Sequence, residues 1–196
     1  MVNKIVTLLK ILFMLRILSK IIFFLNGWKV SDQFKYPKKC IIIAAPHTSN
    51  WDFLIGRCYA YIVGISPYYL IKSSFFIPIL GFLFKINGGI PVYRNSKNNL
   101  VNDIVNKFNN SNNFILAISP EGTRSRVEIW KTGFYHIAIK SKVSIVLVAM
   151  DYKLKNVGVV DVIIPSGNID SDLSVIENHF KNLSGKVPAN YNPKIK

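Results

Sequence analysis

Apolar residues fall along this chain in short, nearly continuous runs that alternate with longer, helically spaced ones, and turn-forming residues lie between them. The short runs predict strands at 40–45, 68–72, 114–118, 144–150 and 157–164, with a further short strand after the glycine turn at 88–89. Helical spacing predicts helices at 51–63, 96–108, 134–140 and 171–183, the last capped by Asp170 or Ser171. In the second of these, Leu100, Ile104, Val105 and Phe108 share one side, although its many asparagines make it a weak helix former. Strands separated by helices imply a single α/β domain whose mixed, mostly parallel sheet is flanked by helices.

Two stretches depart from this alternation. Residues 1–26 are almost wholly apolar, broken by Lys4, Lys10, Arg16 and Lys20. At 100° per residue these cations do not share a face, and no uncharged run approaches the roughly 20 residues that span a bilayer. No small-residue cleavage site follows, as a signal peptide would require. Four cations suit no core, whereas long basic side chains can snorkel from a helix sunk among headgroups. Residues 1–28 are therefore expected to be a membrane-associating helix, 29–185 the folded body and 186–196 a loose tail. The second stretch, 75–84, is nearly all apolar, and Pro78 prevents one uninterrupted helix through it. It suits plain core, an acyl-chain groove or a lipid contact equally.

Charge narrows the partners. The chain of 196 residues carries a net charge of +15, yet its mean hydropathy is +0.28. A greasy, basic chain suits an anionic membrane surface, where each basic residue near the headgroups adds roughly 1 kcal/mol. The basic residues are spread along the chain and no nucleic-acid-binding motif is present, so nucleic acid is not expected as a partner. Cys40 and Cys58 sit in apolar surroundings without metal-ligand spacing. They read as reduced core residues of a protein that faces the cytosol, and no metal is expected.

Candidate chemistry gathers where strands end. Pro46-His47-Thr48-Ser49-Asn50-Trp51-Asp52 joins the strand at 40–45 to the helix at 51–63, and Asp52 is the sole acidic residue between Gln33 and Asn102. A first-turn carboxylate can reach back to the imidazole, fix its tautomer and leave the other ring nitrogen to accept a proton. The spacing alone equally suits a loop histidine and an acid placed for the helix dipole. Ser119-Pro120-Glu121-Gly122-Thr123-Arg124-Ser125-Arg126 ends another strand, and its arginines suit either phosphate capture or a solvated loop. His136 reads as structural and His179 as a surface residue.

Three segments in order carry a resemblance: His47 to Asp52, Gly89-Ile90-Pro91-Val92-Tyr93-Arg94, and Pro120-Glu121-Gly122-Thr123-Arg124. They resemble the first three motifs of the glycerolipid acyltransferases, which include the bacterial 1-acylglycerol-3-phosphate acyltransferases. The resemblance covers roughly residues 30–165. It implies a glycerol-3-phosphate acyltransferase-like fold and transfer of an acyl group from an acyl-carrier-protein or coenzyme A thioester to a lysophospholipid hydroxyl, without a further cofactor. It implies His47 as general base and Asp52 as its orienter. Arg94, Glu121, Gly122, Thr123 and Arg124 would bind the acceptor phosphate, and Lys72 would stabilise an oxyanion. The body at 29–185 would be the acyltransferase domain, associated with the cytoplasmic face of the inner membrane. Departures from the family pattern are Tyr93 for the common aspartate, Ser119 for an aromatic residue and Leu147 where a fourth motif would carry proline; the first two bear on the acceptor. Two readings stand against it on the same scaffold, a transacylase or an acyltransferase for another lysolipid, and a non-catalytic basic membrane-binding protein.

Overall fold

A computed structural model describes residues 2–31, 34–93 and 97–195, apart from the side chains of 2–5, 8 and 97–99. Helix α1 (Val2–Asn26) leads into the short strand β1 (Lys29–Val30). Strand β2 (Lys39–Ala45) runs to the His47 turn, where a cis peptide joins Ala45 to Pro46, and helix α2 (Trp51–Val63) follows. Strand β3 (Tyr68–Lys72), a 3-10 turn (Ser73–Phe75), helix α3 (Pro78–Ile86) and strand β4 (Gly89–Val92) come next. Pro78 opens α3, where its missing N–H costs nothing, and so divides the apolar 75–84 stretch as expected. Helix α4 (Lys97–Asn109), strand β5 (Phe114–Ile118), helix α5 (Gly133–Ser141), strands β6 (Ser144–Asp151) and β7 (Asn156–Ile163), and helix α6 (Ile169–Phe180) complete the chain's main elements.

The seven strands form one sheet in the order β1-β7-β6-β2-β5-β3-β4, and only the β6–β7 pair is antiparallel. Alternation along its central strands sorts the core into two. Ile41, Ile43, Ala45, Ile145, Leu147 and Ala149 face α4, α5 and α6 through Ile104, Phe108, Phe134, Ile137, Leu173, Ile176 and Phe180. Cys40, Ile42, Val146, Val148 and Met150 face α1 and α2 through Phe23, Ile55, Cys58 and Tyr59. With both faces covered, the central strands read as continuous apolar runs rather than alternating ones. Both cysteines are free and buried, as expected, and burial pushes the Cys40 thiol up to about 12.

Three expectations change. The α6 cap is Asn168, whose side chain accepts from Ser171 N, so the helix starts ahead of Asp170. Strand β1 was not foreseen, because two residues cannot show a period. The tail is not loose: Tyr191 and Ile195 are buried, Trp130 Nε1 donates to Asn192 O at 2.6 Å, and Ile195 N donates to Glu177 Oε2 at 2.7 Å. Its apolar residues are too few for a sequence period, yet they close the gap between α6 and the 120–130 loop.

Helix α1 is also less separate than a bare anchor. Ser19 and Phe23 are buried, and Phe23 joins the α2-side core next to Trp28. Its earlier turns leave Leu9, Phe13, Met14 and Leu18 more than half exposed. Among the described residues no helix is long and apolar enough to cross a membrane.

Candidate active site

Strand register brings the separate motifs to one edge. Ala45, the last residue of β2, pairs with Ala149 of β6. Ile43 pairs with Ile118, the last residue of β5, so Pro120 and Glu121 continue beside the His47 turn. On β3, Tyr68 pairs with Leu116, and Leu116 pairs with Ile41. Lys72, four residues further, therefore ends level with Ala45, and it pairs with Val92 at the end of β4. The carboxyl ends of parallel strands meet at this edge, where open α/β sheets bind ligands.

The turn after β2 folds around one carboxylate. Asp52 is buried, and its Oδ2 accepts from Thr48 N at 2.6 Å and Ser49 N at 2.8 Å. The same oxygen lies 3.3 Å from His47 Nδ1. Its Oδ1 accepts from the Tyr152 hydroxyl at 2.6 Å. The carboxylate is thus tied to the turn that carries the histidine, and the imidazole pairs through Nδ1, leaving Nε2 available. The His47 side chain is 25% exposed, enough for a substrate hydroxyl to reach. A general base with a buried orienting acid can draw a proton from a hydroxyl nucleophile.

Glu121 braces the same turn from β5. Its Oε1 accepts from His47 N at 2.8 Å, and it is buried, with Oε2 unpartnered among the described residues. The resemblance implies a phosphate contact for Glu121; the structure places it beneath the turn, bonded to the His47 backbone. Burial pushes its carboxyl up to about 7; the nearby Asp52 charge adds to this, while N–H groups of Glu121 and His47 and the His47 charge oppose it. The folded chain therefore holds this proton more tightly than the unfolded chain, whose ordinary value is 4.5. Stability falls as pH climbs from that value to about 7, by about 3 kcal/mol in all, and falls no further above it. Glu121→Gln removes this dependence. Urea unfolding of both proteins at pH 5 and pH 8 should show the gap between them shifting in favour of the variant at the higher pH. A gap that does not move between the two pH values contradicts the assignment.

The other expected residues are more exposed. Gly122 sits at φ +65°, where a side chain is strained, and a Cβ there would meet Lys131 Nζ at 2.7 Å. Thr123 Oγ1 accepts from Ser125 N at 3.3 Å, so its hydroxyl shapes the loop. Arg124 is exposed and Nη1 donates to Asn50 Oδ1, which joins the third motif to the first. Arg126 instead donates to Tyr191 O at 2.7 Å and holds the tail. Lys72 is exposed at the strand end and makes no hydrogen bond or ion pair among the described residues. Arg94 lies outside the described residues. His136 is exposed, and His179 Nε2 pairs with Asp161 at 2.8 Å. Leu147 is fully buried in the α5–α6 core.

Sequence reading missed Asn50, Tyr152 and the 184–187 segment. Gly185 packs so closely on the turn that a Cβ would meet the Thr48 side chain at 2.7 Å. Val187 N donates to Thr48 Oγ1 at 3.2 Å, and Lys186 Nζ lies 4.6 Å from the centre of the Trp51 ring. The available signal was position: Tyr152 directly follows a strand that ends at the active edge.

Comparison with known proteins bears on the fold and the family. The crystal structure of the 1-acyl-sn-glycerophosphate (LPA) acyltransferase PlsC from Thermotoga maritima is similar, with a TM-score of 0.59 and 19% identity over 87% of this chain and 76% of that one. At that identity the likeness is one of fold. No curated protein matches the chain in sequence. A family model described as acyltransferase matches residues 28–151, the span that holds the His47 turn, β3, β4 and the Glu121 loop. The chain belongs to the acyltransferase family.

Proposed function

We propose that this acyltransferase moves a fatty acyl group from an acyl-carrier-protein or coenzyme A thioester to the hydroxyl of a lysophospholipid, with 1-acylglycerol-3-phosphate as acceptor and phosphatidate as product. The observation that carries this reading is the His47 Nδ1–Asp52 pair at the carboxyl edge of the sheet. His47 Nε2 takes the proton of the acceptor hydroxyl as its oxygen attacks the thioester carbonyl. The carbonyl oxygen becomes an oxyanion, for which the Lys72 ammonium, at the end of β3 and level with Ala45 by register, is the candidate. Collapse breaks the carbon–sulfur bond, and the thiolate takes the proton back from His47. Donor, acceptor and base act in one complex, so no covalent acyl-enzyme is needed.

Arg124 supports a phosphate-bearing acceptor because its guanidinium reaches the His47 turn through Asn50 and is open to solvent. The family resemblance gives Arg94 the same task. Each charge-assisted bond to a phosphate contributes roughly 1.5–3 kcal/mol. The test incubates purified protein with acyl donor and a panel of lysolipids and reads the products by mass spectrometry. Lysophosphatidate should be preferred to lysophosphatidylcholine, and Arg124→Ala should raise its apparent KM about tenfold or more with a smaller fall in kcat. Equal use of lysophosphatidate by the variant and the wild type would shift the reading to another head group. Transfer without any thioester donor would favour a transacylase.

The acceptor is a membrane lipid, and the apolar side chains exposed on α1 and α3 supply a surface for it. Phe13 is 65% and Ile79 80% exposed, close to Lys10, Arg16 and Lys85 in sequence. We read α1 as dipping into an anionic leaflet, on the cytoplasmic face of the inner membrane. Because Phe23 belongs to the core, deleting α1 would disturb the fold, and surface substitutions are the cleaner test. Leu9 and Phe13, one turn apart on α1, can both be changed to Glu. This should lower flotation with anionic vesicles at least about tenfold, since each apolar side chain withdrawn from water contributes roughly 1.5–3 kcal/mol. Undiminished flotation would move the contact to α3.

A further inference from the structure

The strand β6 ends at the active edge, and the next residue, Tyr152, turns its side chain into the site. Its hydroxyl donates to Asp52 Oδ1 at 2.6 Å, across a separation of 100 residues in sequence. The other carboxylate oxygen, Oδ2, receives Thr48 N, Ser49 N and the approach of His47 Nδ1. The two oxygens thus have separate duties: one meets the catalytic turn and the other meets Tyr152. A carboxylate held through one oxygen alone can rotate about its Cβ–Cγ bond. Anchoring the second oxygen fixes its plane, and with it the direction in which Oδ2 faces the imidazole.

Tyr152 is itself held at both ends. Its backbone N–H donates to Ser184 O at 2.9 Å, and its ring stands edge-on to Trp28 with centres 4.9 Å apart. Burial first, and then the bond to Asp52, push its phenol well above the ordinary value, so it stays protonated and keeps donating.

We infer that Tyr152 is a positioning residue for the His47–Asp52 pair, fixing through Asp52 Oδ1 the carboxylate plane that selects the imidazole tautomer. The inference rests on the proposed role of His47 as general base, and the experiment separates the two. Tyr152→Phe keeps the ring against Trp28 and removes only the hydroxyl. With lysophosphatidate and an acyl thioester, kcat should fall about tenfold while KM stays unchanged, the pattern of a loss confined to the transition state. If Tyr152 acts through Asp52, the double variant Asp52→Asn with Tyr152→Phe should be no slower than Asp52→Asn alone. A purely structural tyrosine would instead add its loss to that of Asp52→Asn.

A second measurement does not depend on turnover. Nitrogen-15 spectra of the imidazoles, with the His47 signals identified by their absence from His47→Ala, should report the Nδ1–H tautomer in the wild type. In Tyr152→Phe they should report a mixture of tautomers. Wild-type kcat in Tyr152→Phe, additive losses in the double variant, or an unchanged His47 spectrum would each overturn the inference. If the spectrum responds to Tyr152→Phe but the wild type acylates no lysolipid, the positioning role stands and the acyl-transfer reading falls.

Discussion

His47→Ala should lower acyl transfer about 10²- to 10⁴-fold, the usual contribution of one positioned general base, while leaving the fold intact. The side chain is partly exposed and pairs through one nitrogen only, so its removal opens no core cavity. The backbone N–H of residue 47 would still reach Glu121, and Asp52 would still gather Thr48 and Ser49. Single-turnover rates from a radiolabelled acyl thioester, with the melting temperature measured alongside, check both halves. Turnover near the wild-type rate would remove His47 from the mechanism. Asp52→Asn should lose less than His47→Ala, because the base survives and loses only the charge that stabilises its protonated form.

Asp52→Ala is expected to differ in kind, costing the protein about 3–5 kcal/mol of folding stability as well as activity. The alanine would leave Thr48 N, Ser49 N and the Tyr152 hydroxyl without their shared acceptor in a buried site. Unsatisfied buried donors are among the few causes of large single-site losses. Asparagine avoids most of this, since its oxygen can still accept from the two backbone N–H groups. Urea unfolding should therefore separate Asp52→Ala from Asp52→Asn by a few kcal/mol. Equal stability of the two variants would mean that the carboxylate is not the post around which the turn is built.

These two results bear on one arrangement, in which the carboxylate that faces His47 is also the structural centre of its loop. Asp52 sits in the first turn of α2, where a negative charge also suits the helix dipole. The Asn50 cap makes no side-chain bond to the helix and turns to Arg124 instead. Local helix chemistry is thus given over to joining two motifs, and Asp52 takes over the N–H groups of Thr48 and Ser49 just ahead of the helix.

Much of this was legible in the chain before any coordinates. Continuous apolar runs such as Cys-Ile-Ile-Ile-Ala-Ala announce strands buried on both faces, and a period of 3.6 announces the helices between them. The pairing of His47 with Asp52 was legible as one of two readings, because both belong to one turn, and the resemblance of three motifs favoured it. Where contacts join distant parts of the chain, the sequence was silent. Nothing in spacing says that Glu121 lies under the His47 backbone, since burial depends on what packs over β5. Nothing says that Gly185 presses on Thr48, or that the tail beyond it is held by Trp130 and Glu177. Tyr152 is the sharpest case: an unremarked residue after a strand becomes the donor to Asp52 only because the β2–β6 register sets both strand ends at one edge. Local periodicity and turn chemistry determined the elements and placed His47 and Asp52 in one turn; the register of the parallel sheet, a non-local property, decided which other side chains hold that pair in place.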